Sequence, residues 1–262
     1  MEKPDADFRA SAGSIAYTGG RFDYEPGWYV QEVEGLTDGA STSSEEVPRD
    51  QGEGQHDIPN RLDDARSIRL SGFAYAQSLG DLGRMAREHG ALLAMPEQSG
   101  AFTWLEFGDW FTTDVRRGSN WRFMRDGDTG FASFTHRFRA PSQVYFGVEP
   151  ERASGTDVYV TNRGTIPSAP VITVTGNMPG GYTIYGPDER VYQITAGLAP
   201  GQVDVIDMSV GALYRDGVIL TGGVYGSRVD VWTIAAGERQ NQALLPAAGA
   251  GSMTVELFPA FF

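Results

Sequence analysis

The chain has 262 residues, a net charge of -13 and no cysteine. That length fits one large or two ordinary domains. The missing cysteines exclude a disulfide framework and a thiolate metal site. A pI near 4.6 argues against a phosphate-binding surface, which needs clustered Lys and Arg. Thirty-four glycines and 14 prolines favour many turns between short strands over a helical protein.

In chain order, residues 1–12 are polar and charged, without the apolar core of a signal peptide. No apolar run reaches the ~18 residues that a membrane span needs. Ser14–Tyr17 and Phe22–Tyr24 are predicted as short strands about a Gly19-Gly20 turn, and Trp28–Val33 as another strand. Residues 37–64 form a polar, low-complexity arm, read as a solvated loop or as an arm that orders against a neighbouring subunit. Arg49, Gly52 and Gly54 mark a possible hairpin tip there. Ser67–Tyr75 alternates Ile68 and Leu70 with Arg69 and Ser71, as a half-buried strand does. Ser78 with Asp81 forms a capping box. Leu79, Leu82, Met85 and Ala86 follow at helical spacing, predicting a helix over 79–89 with Gly90 as its C-cap. Phe102–Asp109 is predicted as a strand with Phe102, Trp104 and Glu106 on one face. Trp121–Met124 and Phe131–Phe138 form a hairpin around Asp126-Gly127-Asp128. The domain boundary falls within 141–154, giving domains 1–145 and 146–262.

The second domain is predicted as about eight strands, through Val158, Ile172, Ile184, Val191, Val205, Ile219, Val231 and Val255, without a helix. Asp216-Gly217 is a tight-turn pair.

The chemistry-bearing residues do not converge. His56, His89 and His136 lack metal-ligand spacing and read as three unrelated surface or edge histidines. No hydrolase elbow or phosphate loop is present. Asp126 and Asp128 lack a third acid for calcium. Asp204 and Asp207 fall on opposite strand faces, so they are not a glycosidase pair with each other. Arg122, Arg125, Arg137 and Arg139 crowd one end of the first domain. They read as a solvated hairpin face or as a basic patch that meets the acidic surface of another copy. Trp232, Tyr214, Tyr182 and Tyr185 are available for sugar stacking, although Trp232 reads better as core or interface. The expectation is therefore no catalytic residue, no cofactor and no metal ligand.

Asn162, Gly164 and Pro170 stand as N-x-G-x-x-x-x-x-P between two β-branched runs, and Pro170, Ile172, Val174 and Gly176 follow as P-x-I-x-V-x-G. This segment resembles the C-terminal domain of siphophage distal tail proteins. The Pro200-Gly201 turn, Val203–Asp207, Trp232 with Gly237, and a C-terminal strand ending near Phe258-Pro259 add to the resemblance. So do Trp28, Val30, Glu34, Gly35 and Leu36 as W-x-V then E-G-L. The likeness runs from about Gly13 to the end and is specific after Pro150. It implies a mainly β protein, with a split-barrel-like N-terminal domain bearing one helix and a galectin-like C-terminal β-sandwich. It further implies a non-enzymatic structural virion protein at the phage tail tip, made in the host cytoplasm. The implied assembly is a ring, hexameric, between the tail tube protein and the baseplate hub or fibre protein. A net acidic inner surface would let DNA pass. The rival readings are a carbohydrate-binding module acting on host-surface glycan and, last, a glycosidase.

Overall fold

Alternation of apolar and polar side chains, rich in aromatic and β-branched residues, builds the first half as strands. The computed structural model describes residues 5–10, 13–36, 42–43, 62–63, 65–93, 99–118 and 121–262. They divide into two units, residues 1–145 with Phe262 and residues 146–261.

In the first unit the strands are β1 (Ala6–Ala10), β2 (Gly13–Thr18), β3 (Gly27–Glu34), β4 (Thr42–Ser43), β5 (Leu62–Asp63) and β6 (Arg66–Tyr75). Helix α1 (Leu79–Leu93) follows, then β7 (Ser99–Glu106), β8 (Asp109–Arg117), β9 (Arg122–Arg125) and β10 (Phe131–Ala140). A short strand β11 (Tyr145–Gly147) stands at the division. The order β8-β7-β1-β2-β3-β6-β10 returns to β8, closing a seven-stranded barrel with β9 carried outside on β10. Strands β2 and β3 pair in parallel, Tyr17 opposite Trp28; the other barrel pairs are antiparallel. Inward positions hold Phe8, Tyr17, Ile68, Leu70, Phe102, Trp104, Phe134 and Phe138, all buried. The Phe138 ring lies 5.0 Å from Phe8 and 5.2 Å from Phe102.

Several expectations are corrected. Phe22–Tyr24 is not a strand. Phe22 is a wedge among Tyr24, Tyr29, Phe73, Tyr75 and Phe131, and the parallel β2–β3 pairing leaves no hairpin at Gly19-Gly20. The strand from Phe102 stops at Glu106. Phe107 (φ 53°) and Gly108 (φ 92°) make a two-residue turn with both φ positive, so Phe107 is exposed and the chain returns as β8. The helix starts as predicted, with the Asp81 amide donating to Ser78 Oγ at 3.1 Å and Ser78 Oγ donating to Asp81 Oδ2 at 2.7 Å. It passes through Gly90 to Leu93, because Ala91, Leu92 and Leu93 are good helix formers. In the arm, Thr42 pairs with Asp63 and Ser43 with Leu62; Arg49, Gly52, Gly54 and His56 lie outside the described residues.

The second unit contains β12 (Glu151–Gly155), β13 (Asp157–Thr161), β14 (Val171–Asn177), β15 (Tyr182–Tyr185), β16 (Val191–Ile194) and β17 (Val203–Asp207). Then come β18 (Ala212–Arg215), β19 (Val218–Ile219), β20 (Tyr225–Val229), β21 (Arg239–Pro246), β22 (Ala250–Leu257) and β23 (Ala260–Phe261). One antiparallel sheet runs β12-β22-β14-β17-β18-β19 and the other β13-β21-β15-β16-β20. Val160, Tyr182, Ile184 and Tyr192 from one sheet and Ile172, Val174, Ile206 and Val255 from the other share one core, so the two sheets form a sandwich. Strands β12, β18, β20, β21 and β23 were not foreseen, and Val231 lies outside any strand. Residues 187–189 add a 3-10 turn.

Candidate interaction site

The Asn162 motif is a backbone knot. Asn162 Nδ2 donates to the carbonyls of Ile166 (2.8 Å) and Ile234 (2.9 Å), while Oδ1 accepts from the Gly164 amide at 2.8 Å. Both amide hydrogens and the amide oxygen are engaged by main chain, so the residue is structural. A Cβ on Gly164 would fall well inside contact distance of the Ala260 carbonyl oxygen, which explains the glycine at that position.

A second buried polar group was missed by sequence reading. Asp204 is fully buried and accepts from Arg215 Nε (2.7 Å) and Nη2 (2.9 Å) and from Tyr182 Oη (2.7 Å). Arg215 also donates to the Gly197 carbonyl. Burial first, then the Asp204 charge, pushes the Tyr182 hydroxyl far above its ordinary pKa. The fork-to-carboxylate geometry satisfies both partners, so no reactive group is left over. Asp207 instead caps the turn at Ser209.

The remaining candidates disperse. His136 is a buried barrel residue, not an edge histidine. Its Nδ1 is 3.0 Å from Tyr17 Oη and its ring lies 4.6 Å from Phe134. His89 lies in α1. Asp126 and Asp128 sit in an exposed turn where the Asp126 carbonyl accepts from Thr129. Among the described residues, no cluster of acids and histidines could hold a metal ion. Trp232 is buried, and a Cβ on Gly186 would stand 2.6 Å from its indole ring. Neither it nor buried Tyr182 offers a stacking face to a sugar; Tyr185 does remain exposed.

The arginines do assemble, in a different set. On β10, Arg137 lies opposite Arg69 of β6, and Arg139 opposite Arg116 of β8. Arg122 of β9 lies opposite Thr135. Arg125 is at the other end of β9, 3.8 Å from Asp128, so it leaves the cluster. Arg69, Trp121, Arg122, Thr135 and Arg137 line a groove of about 490 Å³. Arg69 is paired with Glu34 at 2.9 Å. Arg69 and Arg116 were not expected there, since strand register is what brings them in.

No family model and no curated protein matches the sequence. The structure does find relatives of shape. The chain is similar to the Dit protein of phage SPP1, described as a paradigm of hub adsorption apparatus in Gram-positive-infecting phages. That likeness has a TM-score of 0.65 and 16% identity over 89% of this chain and 93% of the other. It is also similar to chains of the phage P2 baseplate in its activated conformation. With Ca the TM-score is 0.52 at 9% identity, and with Sr 0.54 at 8%; each covers 97% of both chains. The chain therefore has the distal-tail, or Dit, fold.

Proposed function

We propose that this chain is a structural component of a phage tail tip, a distal tail protein of a non-contractile-tailed phage. In this reading six copies form a ring between the tail tube protein and the baseplate or fibre hub. The observation that carries it is the likeness to SPP1 Dit across both units, over 89% of the chain. It is supported by polar groups that are spent internally, Asn162 on backbone and Asp204 on Arg215 and Tyr182. A structural role needs such rigid, saturated networks. Native mass spectrometry and negative-stain microscopy of the purified chain test it. Closed rings of one copy number are expected, and a strict monomer at high concentration, with no ring in tail particles, overturns it.

A further inference from the structure

Two places on the barrel unit set like charges face to face, and their signs are opposite. The first is the tip of the β7–β8 hairpin. Phe107 is 86% exposed there. It also holds φ at 53°, a conformation that costs a bulky residue energy and that tight turns usually give to Gly, Asn or Asp. Beside it Glu106 lies directly opposite Asp109, where like charges repel. Among the described residues neither acid forms an ion pair; Glu106 accepts from the Trp104 indole at 3.3 Å. The second place is the groove of about 490 Å³ lined by Arg69, Trp121, Arg122, Thr135 and Arg137. Arg137 lies directly opposite Arg69. Arg69 is paired with Glu34, while among the described residues Arg122 and Arg137 form no ion pair. Trp121 gives the groove a flat wall, its ring within 12° of parallel to that of His136. Guanidinium forks take carboxylates and also stack on aromatic faces.

We propose that the β7–β8 tip of one copy docks in the arginine groove of a second copy of this chain. Phe107 lies against Trp121 in that contact, and Glu106 and Asp109 meet Arg122 and Arg137. The inference rests on the ring reading above and names the two surfaces that meet in it. Each side relieves the repulsion inside the other, so the complementarity is one of charge as well as of shape. The tip cannot fill the groove of its own chain. The Gly118 amide donates to the Arg137 carbonyl. From Gly118 back to Asp109 the chain runs nine residues along β8, about 30 Å. Tip and groove thus stand at opposite ends of one barrel wall. A contact between two different patches is heterologous; repeated head to tail, it closes into a ring or runs on as a filament. A second tip is the poorer occupant. Tyr24 also has a positive φ, 67°, between Asp23 and Glu25. Its ring, however, rests on Phe22 at 4.5 Å, and Asp23 already accepts from the Tyr29 hydroxyl.

The chain has no cysteine, so single introduced thiols report the contact. Trp110→Cys stands beside the tip and leaves Glu106, Phe107 and Asp109 in place. Ser133→Cys is exposed on the strand face of Thr135 and Arg137. Full-length chains bearing one or the other are mixed and treated with a short bismaleimide. Crosslinked pairs joining the two kinds are expected. Arg122→Glu/Arg137→Glu on the Ser133→Cys chain should cut their yield about tenfold or more. Glu106→Arg/Asp109→Arg on the Trp110→Cys chain should then restore it. Phe107→Ser on the Trp110→Cys chain should lower the yield with both acids in place. If a charge variant fails to fold, raising the parent pair to about 1 M salt, where the screening length is ~3 Å, should lower the yield instead. Rings without the mixed crosslink overturn the proposal and leave the ring standing. A mixed crosslink indifferent to charge reversal and salt also overturns it. So does a Ser133→Cys chain that crosslinks in tail particles only to a different protein. A charge-dependent crosslink in open head-to-tail chains, with no closed ring, upholds the docking and overturns the ring. A protein that neither crosslinks nor assembles overturns both.

Discussion

At the scale of single residues, Asn162 shows how one amide can organise a loop. It ties the local Gly164 amide and Ile166 carbonyl to the carbonyl of Ile234, 72 residues on. Asn162→Ala leaves three backbone groups without that partner in a buried place, at about 1–3 kcal/mol each before relaxation. We expect a loss of about 3 kcal/mol or more in the stability of residues 146–261. Trp232, the single tryptophan of that unit, reports it as a lower urea midpoint. Asn162→Asp should cost at least as much, since it turns an oxygen toward two carbonyl oxygens. The Asn-Gly-Pro spacing was visible in the sequence, but its partners were not, because Ile234 lies 72 residues away.

At the scale of elements, strands with strict alternation were legible and their pairing was not. SIRLSGFAY reads as a half-buried strand, and β6 buries Ile68, Leu70 and Ala74 on one face. The Asp126-Gly127 and Asp216-Gly217 turns and the Ser78 cap follow from local chemistry alone, and all three are present. Strand β21 (RQNQALLP) escaped notice because amides take inward positions, Gln242 being buried. Asp204 is in phase with Ile206, so alternation did place an acid inside, but nothing local pointed to Arg215. The β3–β6 ladder carries a bulge between Val30 and Glu32. Gly72 faces it, and a Cβ there would fall well inside contact distance of the Tyr29 carbonyl oxygen. Gly72→Ala must therefore push the bulged strand away. A loss of about 3 kcal/mol is expected, seen as a lower thermal midpoint of the near-ultraviolet signal from the barrel aromatics, with the Trp232 transition unmoved.

At the scale of the molecule, each unit encloses tyrosines whose burial holds their hydroxyls above the ordinary pKa. Burial raises Tyr17 well above its ordinary pKa, with the Asp7 charge second. Burial likewise raises Tyr182 and Tyr192. An unfolded tyrosine ionises near pH ~10. Above that pH the unfolded chain sheds protons the folded chain keeps, so stability falls as pH rises. Each such tyrosine contributes a slope of about 1.4 kcal/mol per pH unit, about twice that for the pair Tyr182 and Tyr192. Urea midpoints read through Trp232 at rising alkaline pH should show this steep decline, and Tyr192→Phe should roughly halve it. The barrel has its own asymmetry. β6 and β10 share ten residue pairs, whereas β8 and β10 meet at Phe138–Arg117 and Arg139–Arg116, with the Gly118 amide donating to the Arg137 carbonyl at 2.7 Å. The cylinder thus has two short seams, this one and the parallel β2–β3 contact through Tyr17–Trp28 and Thr18–Tyr29, and this one sits among crowded positive charges. Opening the β8–β10 seam costs few hydrogen bonds and separates Arg116 from Arg139, a release of like-charge crowding that the β2–β3 seam, with Trp28 and Tyr29 opposite Tyr17 and Thr18, does not offer.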